Sequence, residues 1–180
     1  MIFYRFAHAL VHLVFGLLYR FKVHGRENVP EGGALICVNH SSLADPVLVA
    51  LALKVEDHPR FMAKAELFKI FGFQWLITKL GAYPVERGAS DMTAIKTTLS
   101  VLREGRKVLI FPQGRRVLRD GENVPLKDGA AMLAAHSDKP LLPVYLTPGR
   151  KPIVNKIELV FGKPFSVQKG ERSGVSDRLR

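Results

Sequence analysis

The chain has 180 residues, 47% of them apolar and 24% charged, a balance that excludes a disordered chain and favours one domain with a sizeable core. Lysine and arginine outnumber aspartate and glutamate by 27 to 16, and the resulting charge of +11 favours an anionic partner (nucleic acid, anionic lipid or an acidic substrate) without choosing among them. The single cysteine, Cys37, excludes an internal disulfide, and its place inside the apolar run ALICV reads as a buried core thiol rather than a nucleophile.

The first predicted element is a helix. From Phe6 to Tyr19 the chain carries no Lys, Arg, Asp or Glu. At about 1.5 Å per residue that stretch spans roughly 21 Å, short of the roughly 30 Å of a bilayer core. Arg5, His8, His12 and Tyr19 fall on one side of the helical wheel and the rest of the surface is apolar. The pattern suits an amphipathic helix lying in the membrane interface over residues 1–22, ahead of a domain over residues 23–180. A core helix is the competing reading. A signal peptide is disfavoured because YRFKVHG offers no small-residue cleavage site. His8 and His12 have no third ligand nearby and read as interfacial polar residues rather than a metal pair.

Further along, ENVPEGG is a turn region before the strand ALICVN, and ADPVLVALALK reads as a helix with Asp45 and Pro46 in its first turn. PRFMAK reads as a strand, AELFKIFGFQWLITKLG as a helix and AYPVER as a short strand. SDMTAIKTTLSVLREG is a helix capped by Ser90 or Asp91 and ended by Gly105. KVLIFP is a strand, KDGAAMLAAHSD a short helix, PLLPVYL a strand and KIELVFGKPF a final strand or hairpin arm. Strands alternating with helices predict a single α/β domain, with a mostly parallel mixed sheet flanked by helices. In such sheets chemistry gathers in the loops at one end.

The loop after the first apolar strand, VNHSSLADP, holds His40 and Asp45 five residues apart. On one continuous helix they would point about 140° apart. With His40 in the loop and Asp45 at the helix start, the carboxylate reaches the imidazole, takes the proton on one ring nitrogen and leaves the other as a base. Without that fold-back, His40 is a loop histidine and Asp45 a helix N-terminal acid. Ser41 and Ser42 stand too close in sequence to His40 for attack geometry, and no G-x-S-x-G elbow surrounds them, so the hydroxyl to be activated belongs to a substrate.

At this point the sequence resembles the glycerolipid acyltransferases. NHSSLADP is similar to the family's first motif, H-x-x-x-x-D. FMAKAELF (61–68), GAYPVER (81–87), FPQGRR (111–116) and LLPVYL (141–146) resemble its later blocks in the family's order, and VFGKPF its closing strand. The likeness covers residues 20–166. It implies that His40 is the general base and Asp45 its orienter. It implies an acceptor phosphate held by Arg87 and Arg116, with Lys64 as a third cation and Gln113 and Gly114 on the pocket wall. Backbone N–H groups at the start of the following helix are the expected oxyanion donors.

The activity it implies is transfer of an acyl group from acyl-CoA or acyl-carrier-protein to the 2-hydroxyl of lysophosphatidic acid. That expectation brings an anionic membrane surface, a position on the cytoplasmic face of the membrane, no bound cofactor beyond the acyl carrier and no nucleic acid. Two departures stand out: Gln113 where the family usually has Glu, and Arg115 where it usually has Thr. Both make the loop more positive and bear on acceptor identity, so another lysolipid or glycerol-3-phosphate is the nearest alternative. A non-catalytic basic lipid-binding module is the alternative from another class.

Overall fold

The computed structural model describes residues 2–86, 91–117, 124–147, 156–168 and 174–179. The strands are β1 (Arg20–His24), β2 (Leu35–Val38), β3 (Arg60–Lys64), β4 (Ala82–Val85), β5 (Val108–Ile110), β6 (Leu141–Leu146) and β7 (Lys156–Phe161). Among the described residues they form a seven-stranded sheet in the order β1-β7-β6-β2-β5-β3-β4. Every neighbouring pair is parallel except β6 and β7. The helices are α1 (Ile2–Leu18), α2 (Asp45–Ala52), α3 (Phe73–Lys79), α4 (Met92–Arg103), α5 (Gly129–Ser137) and α6 (Val175–Arg178).

Strand β2 lies at the centre, and all four of its residues are buried. Successive side chains point to opposite faces, so a strand covered on both sides must be apolar throughout. Ile36 and Val38 join Leu48, Val49 and Ala52 of α2, with Phe15 and Tyr19 of the N-terminal segment packed on the same cluster. Leu35 and Cys37 face the other way, onto Val101 and Leu102 of α4 and Leu133 of α5. Burial pushes the Cys37 thiol far up, in keeping with a core residue. Truncating fully buried Ile36 to alanine is expected to cost about 2–5 kcal/mol.

Three expectations need correction. The boundary at residue 22 falls inside β1, where Phe21 and Val23 are half-buried and Arg20, Lys22 and His24 are exposed. The helix ends at Leu18 and the chain turns at once into an edge strand parallel to β7. The run AELFKIFGFQWLITKLG is not one helix: a 3₁₀ turn covers Ala65–Lys69, Gly72 takes φ 73, and α3 begins only at Phe73. A left-handed residue breaks helical continuity, and glycine adopts that conformation without strain. Finally, the His8 ring is half-buried and turned inward rather than outward with the apolar side chains of α1. Its Nε2 lies 3.3 Å from the carbonyl of Ala50, so it faces α2.

Candidate active site

The site is built at the C-terminal end of β2, where contacts with residues distant in sequence fix the chain as it leaves the sheet. Asn39 takes over from the strand: its Nδ2 donates to the Leu146 carbonyl at 2.8 Å, and its Oδ1 accepts from the Leu146 N–H at 2.8 Å. A side-chain amide here imitates one more ladder pair between β2 and β6. Next, the His40 N–H donates to Gln113 Oε1 at 2.8 Å, and the His40 carbonyl accepts from the Val117 N–H at 2.7 Å. The His40 ring stacks on Phe111 with centroids 3.9 Å apart.

The chain then folds back onto α2. Asp45 opens that helix, followed by Pro46, and its side chain is fully buried. Its Oδ2 lies 2.9 Å from His40 Nδ1 and accepts from the N–H groups of Ser41 at 2.7 Å and Ser42 at 2.8 Å. The two backbone groups are fixed donors, so Oδ2 is an acceptor. Nδ1 is then the protonated ring nitrogen, and Nε2 carries the free lone pair. Ser42 Oγ is spent on the Ala44 N–H at 3.2 Å, a turn-forming role. The N–H groups of Ser41, Ser42 and Ala44 are thus committed inside the loop, and that of Asp45 donates to the Ser42 carbonyl.

His40 stands at the wall of a cavity of about 410 Å³, lined mostly by apolar side chains that include Met62, Ile95, Phe111 and Met132. The FPQGRR turn separates it from a second cavity of about 470 Å³, which Gln113, Asn39 and Tyr145 line. Gln113 is thus on the far side of the turn from the His40 cavity, and its acceptor end holds the backbone of His40. Gly114 closes the turn, with its N–H on the Phe111 carbonyl at 2.9 Å. Its backbone conformation is what demands glycine, and Lys127 lies close beside it. Its φ is 68, and a Cβ there would come within 2.8 Å of the Lys127 side chain.

Lys127 is the cation that sequence reasoning missed. It lines the His40 cavity, and its N–H donates to the Pro112 carbonyl at 2.8 Å. LKDG before a helix reads as ordinary N-terminal punctuation, and no local signal distinguishes it. Of the expected cations, Arg116 is exposed and adjacent to Val117. Lys64 ends β3 at the same end of the sheet, exposed and paired with Glu66 at 3.0 Å. Neither lines the described cavity. Arg87 lies outside the described residues.

A family model described as Acyltransferase matches residues 20–147. The 1-acyl-sn-glycerol-3-phosphate acyltransferase of Bacillus subtilis is 33% identical over 168 residues, covering 90% of this chain and 82% of that protein. The enzyme of the same name from Streptococcus pneumoniae is 30% identical over 151 residues, and the chain covers 55% of its length. The crystal structure of the 1-acyl-sn-glycerophosphate (LPA) acyltransferase PlsC from Thermotoga maritima matches with a TM-score of 0.74 at 28% identity, covering 97% of this chain and 73% of that one. The family model spans β1 to the end of β6 and so takes in both the histidine loop and the FPQGRR turn. With that span, and with the Bacillus relative matched over most of its own length, the chain belongs to the acyltransferase family.

Proposed function

We propose that this chain moves a fatty acyl group from a thioester, acyl-CoA or acyl-carrier-protein, to the 2-hydroxyl of lysophosphatidic acid, giving phosphatidic acid. The observation that carries the reading is the 2.9 Å contact between His40 and buried Asp45 beside a mostly apolar cavity. His40 Nε2 takes the hydroxyl proton as the oxygen attacks the thioester carbonyl. Asp45 holds the ring and stabilises the imidazolium. The tetrahedral intermediate expels the thiolate, the carbon–sulfur bond breaks, and the imidazolium returns its proton to sulfur. No protein nucleophile is required. Arg116, Arg87, Lys64 and the cavity-lining Lys127 are the cations that would hold the phosphate, with planar guanidinium groups suited to bidentate contact. Holding the acceptor by its phosphate positions the hydroxyl, which is where rate is gained.

A screen of acyl donors and acceptors with lipid product analysis tests the assignment and separates lysophosphatidic acid from another lysolipid or glycerol-3-phosphate. His40→Ala is expected to abolish transfer while leaving the circular dichroism unchanged; full turnover in that variant would remove His40 as the base.

The same reading makes the protein peripheral, on the cytoplasmic face of the membrane. Among the described residues no helix is long and apolar enough to cross a bilayer. Instead α1 leaves Ile2, Phe6, Leu10, Leu13 and Leu17 exposed, while Tyr4 is buried and Phe15 packs on the core. Leu13→Ser with Leu17→Ser touches only the outward face and should release the protein from vesicles. Unchanged cosedimentation would exclude α1 as the anchor.

A further inference from the structure

The interrupted segment 65–79 carries a surface that the reaction does not use. Phe71 is fully exposed, at 103%, and Trp75 is 54% exposed; Ile70, Phe73 and Leu76 are exposed beside them. Gly72, with φ 73, turns the chain between Phe71 and α3. Five large apolar side chains within seven residues is far more than the scattered exposure of a soluble surface. Phe3 of α1 meets Trp75 edge to face with ring centroids 5.0 Å apart, so this patch is continuous with α1. The segment leaves the sheet at Lys64, at the end where His40 stands, and returns to it at β4. Lys69 and Lys79, both exposed, flank its apolar tip. Between residues 60 and 85 there are four basic residues (Arg60, Lys64, Lys69 and Lys79) and one acid, Glu66, which pairs with Lys64.

We propose that Ile70, Phe71, Phe73 and Trp75 form a second membrane-docking point, a wedge beside α1 that enters an anionic bilayer. An aromatic and aliphatic tip framed by lysines matches the layered chemistry of that surface: acyl chains below, an interfacial belt that favours tryptophan, and anionic headgroups that attract lysine. The choice of lipid over a protein partner rests on the acyl-transfer reading, whose acceptor is itself a lipid. Two docking points fix an orientation that one helix, free to roll about its axis, does not.

Trp75 is the single tryptophan of the chain, so intrinsic fluorescence reports on this surface without a label. The full chain is mixed with phosphatidylglycerol–phosphatidylcholine vesicles, with and without bromine on the acyl chains. Trp75 emission should move to the blue and be quenched by the brominated lipid. Phe71→Ser removes a fully exposed side chain and no core contact, and should weaken partition about tenfold. It should leave transfer to a short-chain, water-soluble acceptor unchanged. Cosedimentation with unshifted, unquenched Trp75 emission overturns the proposal, as do absence of binding and unchanged partition of Phe71→Ser. So does blue emission that depends on protein concentration without lipid, which would mean a second copy covers the face. Loss of the soluble-acceptor reaction in Phe71→Ser would make it a support of the site. The fluorescence measurement needs no turnover, so failure of the acyl-transfer reading leaves its outcome standing.

Discussion

Gln113 offers the sharpest test of how the turn serves the histidine. Its Oε1 accepts the His40 N–H at 2.8 Å, a bond that needs an acceptor but no charge. Gln113→Met keeps the length of the side chain and removes the acceptor. A partly buried N–H left unpaired costs about 1–3 kcal/mol. If the whole of that cost is felt as misplacement of His40 in the transition state, turnover falls about 5- to 150-fold, at roughly 1.4 kcal/mol per tenfold. Gln113→Glu keeps an acceptor of the same shape and makes the bond charge-assisted, so its activity should stay within about threefold of the parent. The assay is steady-state kinetics on matched acceptors with and without the phosphate. A fall in kcat of similar size on both is expected for a residue that holds the base. Full activity in Gln113→Met, or a loss confined to KM for the phosphate-bearing acceptor, would refute the reasoning and return Gln113 to the phosphate.

This bond also shows where the sequence stops being legible. The strands and helices followed from apolar runs and capping residues: Asp91 caps α4 through the Ala94 N–H, and Gly105 ends it with φ 78. The fold-back joining His40 to Asp45 was legible because five residues and a helix start leave few geometries. Gln113 and Lys127 were not legible in their roles, since each acts across 73 residues or across a turn, and no periodicity encodes that. A neutral amide at position 113 looks like a lost charge in the sequence; in the fold it supplies the acceptor that the His40 backbone requires. β1 was hidden for a different reason. RFKVH alternates as an edge strand should, but it follows a long apolar run that a helical reading extends through it. The break at Gly72 was hidden because the aromatics around it mimic a buried helical face, whereas in the structure they are exposed.

The remaining predictions address charge. Asp45→Asn keeps an amide oxygen for Nδ1, Ser41 and Ser42, which all meet the one atom Oδ2, but removes the charge that stabilises the imidazolium; kcat should fall about 10- to 150-fold with folding retained, and a loss under about threefold would remove Asp45 as the orienter. Arg116→Ala should weaken a phosphate-bearing acceptor about 10- to 150-fold and spare thioester hydrolysis, whereas equal losses on a phosphate-free acceptor would mean that Arg116 supports the turn. Stability should also depend on pH through His58. That ring is buried, stacked on Tyr4 with centroids 3.7 Å apart, and neither nitrogen has a well-aligned partner. Burial first, then the charges of Arg60 and Arg106, push its pKa down to about 4, against a weaker opposing pull from the Leu80 backbone. Between an ordinary value near 6.5 and that lowered one, the unfolded chain binds a proton that the folded chain refuses, so stability falls as the pH drops. From pH 7 to pH 5 the loss for this group is about 2 kcal/mol, read as a lower urea midpoint. His58→Asn, whose side chain tolerates the positive φ of 31 at this position, should flatten that difference; an unchanged slope would place the proton uptake elsewhere.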